Sequence, residues 1–268
     1  MSKNHDLTYQ GEFFTTELDD KILRMYFRSE KLLHTNIIPV RDELLNYLNK
    51  LSKSEEIRIV LLFCNTPLNQ LEEFYLFYEE LRQSESPVDR ALRMYRALDQ
   101  LILGIINSDK FFISVNCGLN ITLFFNISLA CDYRVIANDW SLKNTHTSLG
   151  LIPKGGGIYF LNQLVGPAKT RDILILNSEL SADKALQMGI VDKILPLQNL
   201  EDNSIQLAKS FLHHSLSTLK GFKQLKHFLF KDLKDFLEEE NLLLAKLLNR
   251  TDQWGKIFDN FSEKKERE

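Results

Sequence analysis

Glycine is almost missing from the first hundred residues: none occurs between Gly11 and Gly104, and the 268-residue chain holds only 11. Any close approach of backbone to a ligand in that stretch has to be made without the residue that best permits it. Cysteine is scarce too. Cys64, Cys117 and Cys131 are odd in number, lie in apolar surroundings and lack CxxC spacing, which excludes a disulfide framework or a zinc site and leaves buried free thiols as the reading. The three Asn-x-Ser/Thr triplets at Asn120, Asn126 and Asn249 are taken as chance. No apolar run is long enough to span a membrane, and the opening MSKNHDLTYQ lacks the apolar core of an export signal. No membrane is expected as a partner, and the cytoplasm is the expected location. A net charge of −3 supplies no field to gather nucleic acid.

Several chemistries are missing at the level of motif. The chain has no GxxxxGK[ST], no GxGxxG after a strand, no HExxH and no GxSxG. The pair His213-His214 is expected inside an apolar helix with its rings pointing two ways, so no metal site is predicted. What is present is an ordinary globular composition, 44% hydrophobic and 26% charged, enough to bury a large core.

The chain opens with two short β-rich runs, Leu7 to Phe14 and Lys21 to Phe27, split by the polar Glu17-Leu18-Asp19-Asp20. Pro39 then precedes a helix whose Leu44, Leu45, Leu48 and Leu51 share a face. Ile57 to Cys64, Phe111 to Asn116 and Tyr133 to Ala137 are short, apolar and β-rich, as buried parallel strands are. Between the first two, residues 70–107 are expected to be helical with a break at Ser84 to Pro87. Gly118 is expected to turn the chain into a helix running to Ala130. This alternation predicts a wound, largely parallel α/β core over residues 1–198. Three helices follow, near 199–215, 217–231 and 233–248, in a region (199–268) whose surplus of leucine suggests packing against another subunit.

From Ser114 to Pro196 five landmarks occur in order: Val115-Asn-Cys-Gly118, Leu129-Ala-Cys-Asp-Tyr-Arg-Val135, Leu149-Gly-Leu-Ile-Pro-Lys-Gly-Gly-Gly157, Leu164-Val-Gly-Pro-Ala-Lys169, and the segment from Leu180 to Asp192. Together they resemble the crotonase (enoyl-CoA hydratase/isomerase) superfamily. The resemblance implies a spiral of ββα turns with a C-terminal helical region that builds a homotrimer, or a hexamer of two trimers. It also implies an acyl-CoA thioester as ligand, with coenzyme A entering as part of the substrate and no separate cofactor.

In that family two backbone N–H groups hold the thioester oxygen as charge develops on it. By spacing they fall here on Gln70 and Leu123, with Leu71 and the Thr122-Leu123-Phe124 run where the family has glycines. The two glutamates that activate water in the hydratases correspond to Asn126 and His146. An amide is no base, whereas a histidine is suited to acid/base work near neutrality. The plainer alternatives are that His146 is a hydrogen-bonding structural residue, Asn126 a polar contact, and Phe124-Phe125 a filling of the acyl volume. For the phosphates of CoA, Lys31 after the first strand pair and Lys223 on the C-terminal helix are the candidate cations. Lys220, Lys223 and Lys226 at spacing of three equally suit a solvated helix face. Three readings follow: a family member without ordinary hydratase activity that acts as a binding or assembly subunit; an active acyl-CoA hydratase, isomerase, decarboxylase or thioester hydrolase with remodelled acid/base residues; and a structural homotrimer with no ligand.

Overall fold

The computed structural model describes residues 7–28, 33, 38–64, 70–176 and 179–250, with the side chains of 38–41 and 148 excepted. Strands β1 (Tyr9–Gln10), β2 (Phe14–Asp19) and β3 (Ile22–Phe27) form an antiparallel meander. To β3 are added, all in parallel, β4 (Ile59–Phe63), β5 (Phe111–Asn116), β7 (Tyr133–Ala137) and β10 (Lys193–Leu195), making one seven-stranded sheet. A second sheet joins β6 (Leu119–Ile121), β8 (Ser141–Lys143) and β9 (Leu180–Ser181).

The large sheet is covered on both faces, which is why its central strands are continuous apolar runs rather than alternating ones. All five residues of β4 and all six of β5 are buried. Successive residues point to opposite faces, and they divide between two cores accordingly. Val60, Leu62, Phe112 and Ile136 enter the larger core, whereas Ile59, Leu61, Phe63, Ile113, Val115 and Val135 enter the smaller. The larger core also holds residues of α1 (Ile38–Lys53), α2 (Gln70–Arg82), α3 (Pro87–Asn107), α4 (Thr122–Ala130), α5 (Gly157–Ile175) and α6 (Ala182–Gln187). The smaller is closed by Leu200 and Ala208 of α7 (Leu200–Phe211) and Leu219 of α8 (Leu216–Leu229). The last described helix, α9 (Leu233–Leu248), returns to the larger core, laying Leu233, Leu237, Leu244 and Leu248 there beside α3. The helices after residue 199 therefore share both cores with the strands.

The structure corrects several local expectations. Glu17, Leu18 and Asp19 continue β2, paired with Arg24, Leu23 and Ile22, and the chain reverses at Asp20, at φ 53°. Asp tolerates that left-handed conformation better than most residues. Gly118 leads into β6, and only then does the helix begin. His213 and His214 lie beyond the end of α7, in the turn before α8, because α7 closes at Phe211. Among the described residues no cluster of three metal-ligating side chains occurs. Cys64 and Cys131 are buried free thiols as expected, but Cys117 is only half-buried.

The lysines of α8 are not a solvated face. Lys223 is buried, with Nζ 3.0 Å from Asp132 Oδ2 and donating to Ile105 O at 2.9 Å. Lys226 lies 2.9 Å from Asp132 Oδ1 and donates to Cys131 O at 2.8 Å, and Lys220 pairs with Asp109 at 2.8 Å. The Asp132 carboxylate is fully buried and also accepts the Phe112 N–H at 2.9 Å, so one carboxylate fastens α8 to the rim of the sheet. Asp132→Ala would leave two buried or nearly buried ammonium groups without their anion, and an unfolding free energy lower by about 3–5 kcal/mol is expected in urea titration.

Candidate functional site

Gln70 is the first residue of α2 and Leu123 the second of α4. Both lie in a first helical turn, where backbone N–H groups have no acceptor within the helix. The two helix starts are tied together, since Ile121 N, at the N-cap of α4, donates to Gln70 Oε1 at 3.1 Å. Lys31 and the residues just before Gln70, 65–69, lie outside the described residues.

Every residue of α4 is buried, its polar Thr122, Asn126 and Ser128 included. Its lack of glycine has a direct steric result: Leu123, Phe124 and Phe125 occupy the interior, each no more than 1% exposed. Phe125 rests against Trp140, with centroids 5.0 Å apart. Leu71 is buried at the start of α2, and Phe74, one turn on, meets the His146 ring edge-on at 5.3 Å.

Asn126 projects from α4 to the glycine run, where its Nδ2 donates to Lys154 O at 2.7 Å. Gly157 lies so close to this amide that a Cβ there would be 2.9 Å from Nδ2, and one on Gly155, whose φ is +68°, would be 3.5 Å from it. The glycines thus serve a contact between this loop and Asn126, and Gly156 (φ +72°) caps α5.

His146 is buried and has a tyrosine, not a carboxylate, as its polar partner. Its Nε2 is 3.2 Å from Tyr95 Oη, which in turn is 2.7 Å from Tyr78 Oη. Burial, with a smaller contribution from the Lys154 ammonium, pushes the imidazole down to about 3, so it is neutral at physiological pH. Burial also raises both tyrosines well out of the physiological range. A neutral imidazole protonated on Nδ1 would accept from Tyr95, which would accept from Tyr78.

Next to these residues is a charged cluster that the sequence reading did not anticipate. Lys154, fully buried, donates from Nζ to Asn241 Oδ1 at 2.8 Å, lies 3.6 Å from Glu240 Oε2 and stands 5.1 Å from the centre of the Tyr95 ring. Asn241 Nδ2 donates to Asp99 Oδ2 at 2.8 Å, and Gly156 N donates to Glu240 Oε2 at 3.2 Å. Burial raises Asp99 to about 6 and Glu240 to about 7, against the lowering effect of Lys154. A faint signal was present in sequence: Asp99 interrupts the apolar stripe of α3, and Glu240-Asn241 interrupts the leucines of α9.

The fold is that of a crotonase-type α/β protein. Residues 37–268 match the enoyl-CoA hydratase/isomerase family, and the chain belongs to it. Carnitinyl-CoA dehydratase of Escherichia coli K12 is 27% identical over 121 residues, 45% of this chain and 46% of that protein. The Citrobacter koseri protein of the same name is 29% identical over 101 residues, 38% of this chain and 39% of that protein. These alignments span less than half the length of the curated relatives. Among solved structures, an enoyl-CoA hydratase from Bacillus halodurans superposes with a TM-score of 0.79 at 20% identity, covering 92% of this chain and all of that one. One from Mycobacterium avium subsp. paratuberculosis gives 0.75 at 17% identity, covering 95% and 97%. At such identities the likeness establishes the fold.

Two outcomes test the site's electrostatics. In Asn126→Asp a carboxylate replaces the donor that faces Lys154 O, and a stability loss of at least about 2 kcal/mol is expected by denaturant unfolding. Because the folded-state pKa of His146 is depressed, the unfolded chain binds a proton first, so this residue's contribution to stability is lost as pH falls below about 6.5. Its ring resonances should show no titration in NMR down to about pH 4.

Proposed function

We propose that this enoyl-CoA hydratase/isomerase family member lacks ordinary hydratase activity and acts as a binding or assembly subunit. The observation that carries the reading is the employment of Asn126: its amide is spent on the Lys154 carbonyl and packed against Gly157. No carboxylate stands at that position or at His146, and a buried, neutral imidazole hydrogen-bonded to Tyr95 lacks the carboxylate partner that would stabilise its protonated form. Leu71, Leu123 and Phe124 add bulk where the family's glycines give room. Of the CoA candidates, Lys223 is committed to Asp132 and Ile105 O.

Self-association as a homotrimer, or as two stacked trimers, fits the outer side of α8. There Phe222, Leu225, Phe228 and Leu229 are between 52% and 75% exposed, more apolar surface than an isolated helix face ordinarily presents to water. No described helix is long and apolar enough to cross a membrane.

A second reading, an active acyl-CoA enzyme with altered acid/base residues, is favoured by the placement of Gln70 and Leu123 in first helical turns. Backbone N–H groups at a helix start point outward along the helix axis whatever side chain they carry, which is the direction an oxyanion site requires. The two readings separate in a crotonyl-CoA hydration assay of the purified chain. The expected result is no turnover above the uncatalysed rate, together with no submicromolar binding of CoA or acetyl-CoA by calorimetry. Hydration at an enzyme-typical rate that is lost in His146→Ala would overturn the first reading in favour of the second.

A further inference from the structure

The cluster around Lys154 carries an imbalance that its hydrogen bonds do not resolve. Two carboxylates, Asp99 and Glu240, are served by one ammonium, and all three groups are buried. Asp99 Oδ1 and Glu240 Oε1 have no hydrogen-bond partner among the described residues. The other titratable groups packed around the cluster do not make up the deficit. From α3, Arg96 pairs with Glu238 of α9 at 3.4 Å, and both are about half exposed. From the same helix Tyr95, from α2 Tyr78, and from the turn after β8 His146 are all neutral across the physiological range. Glu239, the remaining acid beside Glu240, is exposed.

Excess negative charge in a buried seam is costly, and an orphaned carboxylate oxygen is the group best placed to relieve it by taking up a proton. We propose that the seam between α3 and α9 is a proton-operated clasp, in which a single proton taken up by the Asp99/Glu240 pair neutralises the cluster and fastens the C-terminal helix over Lys154, Tyr95 and His146. The proton converts one orphaned oxygen into an O–H donor, leaving one ammonium to one carboxylate. The direction of the linkage is set by carboxyl groups raised above their unfolded values. Their contribution is fully present at low pH and is lost as pH rises through the folded values, so the clasp loosens on the alkaline side. His146 acts in the opposite sense on global stability, which makes a local measurement necessary.

Hydrogen–deuterium exchange of α9, resolved by peptide and corrected for intrinsic exchange rates, supplies it. In the wild-type chain the protection of 233–248 should be at least about ten-fold greater near pH 6 than near pH 8.5, a shift of one proton-binding decade. In Asp99→Asn that ratio should fall to about one, with protection high at both pH values, and Glu240→Gln should behave alike. Glu239→Gln, at an exposed position, should keep the wild-type ratio. A wild-type ratio near one, or a wild-type ratio retained in either folded variant, would overturn the proposal. Should Asp99→Asn fail to fold, Glu240→Gln and the wild-type ratio still decide it.

Discussion

Burial of the Lys154 ammonium dictates how the candidate site is built. An isolated charge in a low-dielectric interior is not tolerated, so the chain brings Asn241 and Glu240 of α9 to it, and Asn241 is in turn held by Asp99 of α3. Asn241 lies 87 residues from Lys154, and Asp99 lies 142 residues from Asn241. Glu240 and Asn241 thereby set the register of the α9 leucine stripe against α3. The same loop presents the Lys154 carbonyl to Asn126 and the Gly156 N–H to Glu240. Glycine run, central helix, α3 and C-terminal helix are thereby held by one set of polar contacts inside an otherwise apolar core.

This explains which parts were legible in sequence. Strands β4, β5 and β7 are buried on both faces, so their apolar runs announced them whatever their neighbours were. Several of the landmarks between Ser114 and Asp192 meet local backbone demands in this chain, such as the positive φ of Gly155 and Gly156. The three residues of β6 were missed because so short a strand has no period to detect, and Glu17 to Asp19 were misassigned because polar residues suit an exposed strand end as well as a turn. The cluster at Lys154 was illegible for a different reason. A lone Asp in α3 and a Glu-Asn pair in α9 each pass for ordinary helix residues until the helices are brought together.

The site positions Asn126 and His146 were named by spacing, and the fold buries both beside the glycine run. Spacing could not reveal their partners. Asn126 turned out to face a backbone carbonyl and His146 a tyrosine pair, and these contacts decide what either residue can do. A carboxylate at position 126 would point its charge at the Lys154 carbonyl, so the amide suits the loop as it stands. In the same way the missing glycines of α4 are compensated by a tightly filled interior rather than left as a defect.

Two of the described buried charge clusters have opposite imbalances, and they differ in how the excess is absorbed. At Asp132 two ammonium groups share one carboxylate, but each has a further acceptor at the end of a helix: Ile105 O in the last turn of α3 for Lys223, and Cys131 O at the C-cap of α4 for Lys226. Helix C-termini leave carbonyls unpaired and carry partial negative charge, so they accommodate a surplus cation without a second anion. At Lys154 the surplus is negative, and the one helix start available, Gly156 N of α5, serves a single oxygen of Glu240. Among the described residues Asp99 Oδ1 and Glu240 Oε1 have no donor. Surplus positive charge can thus be fixed by the fold itself, whereas surplus negative charge calls for a proton. The seam under α8 is therefore electrostatically settled, and the one under α9 is where solvent pH can act.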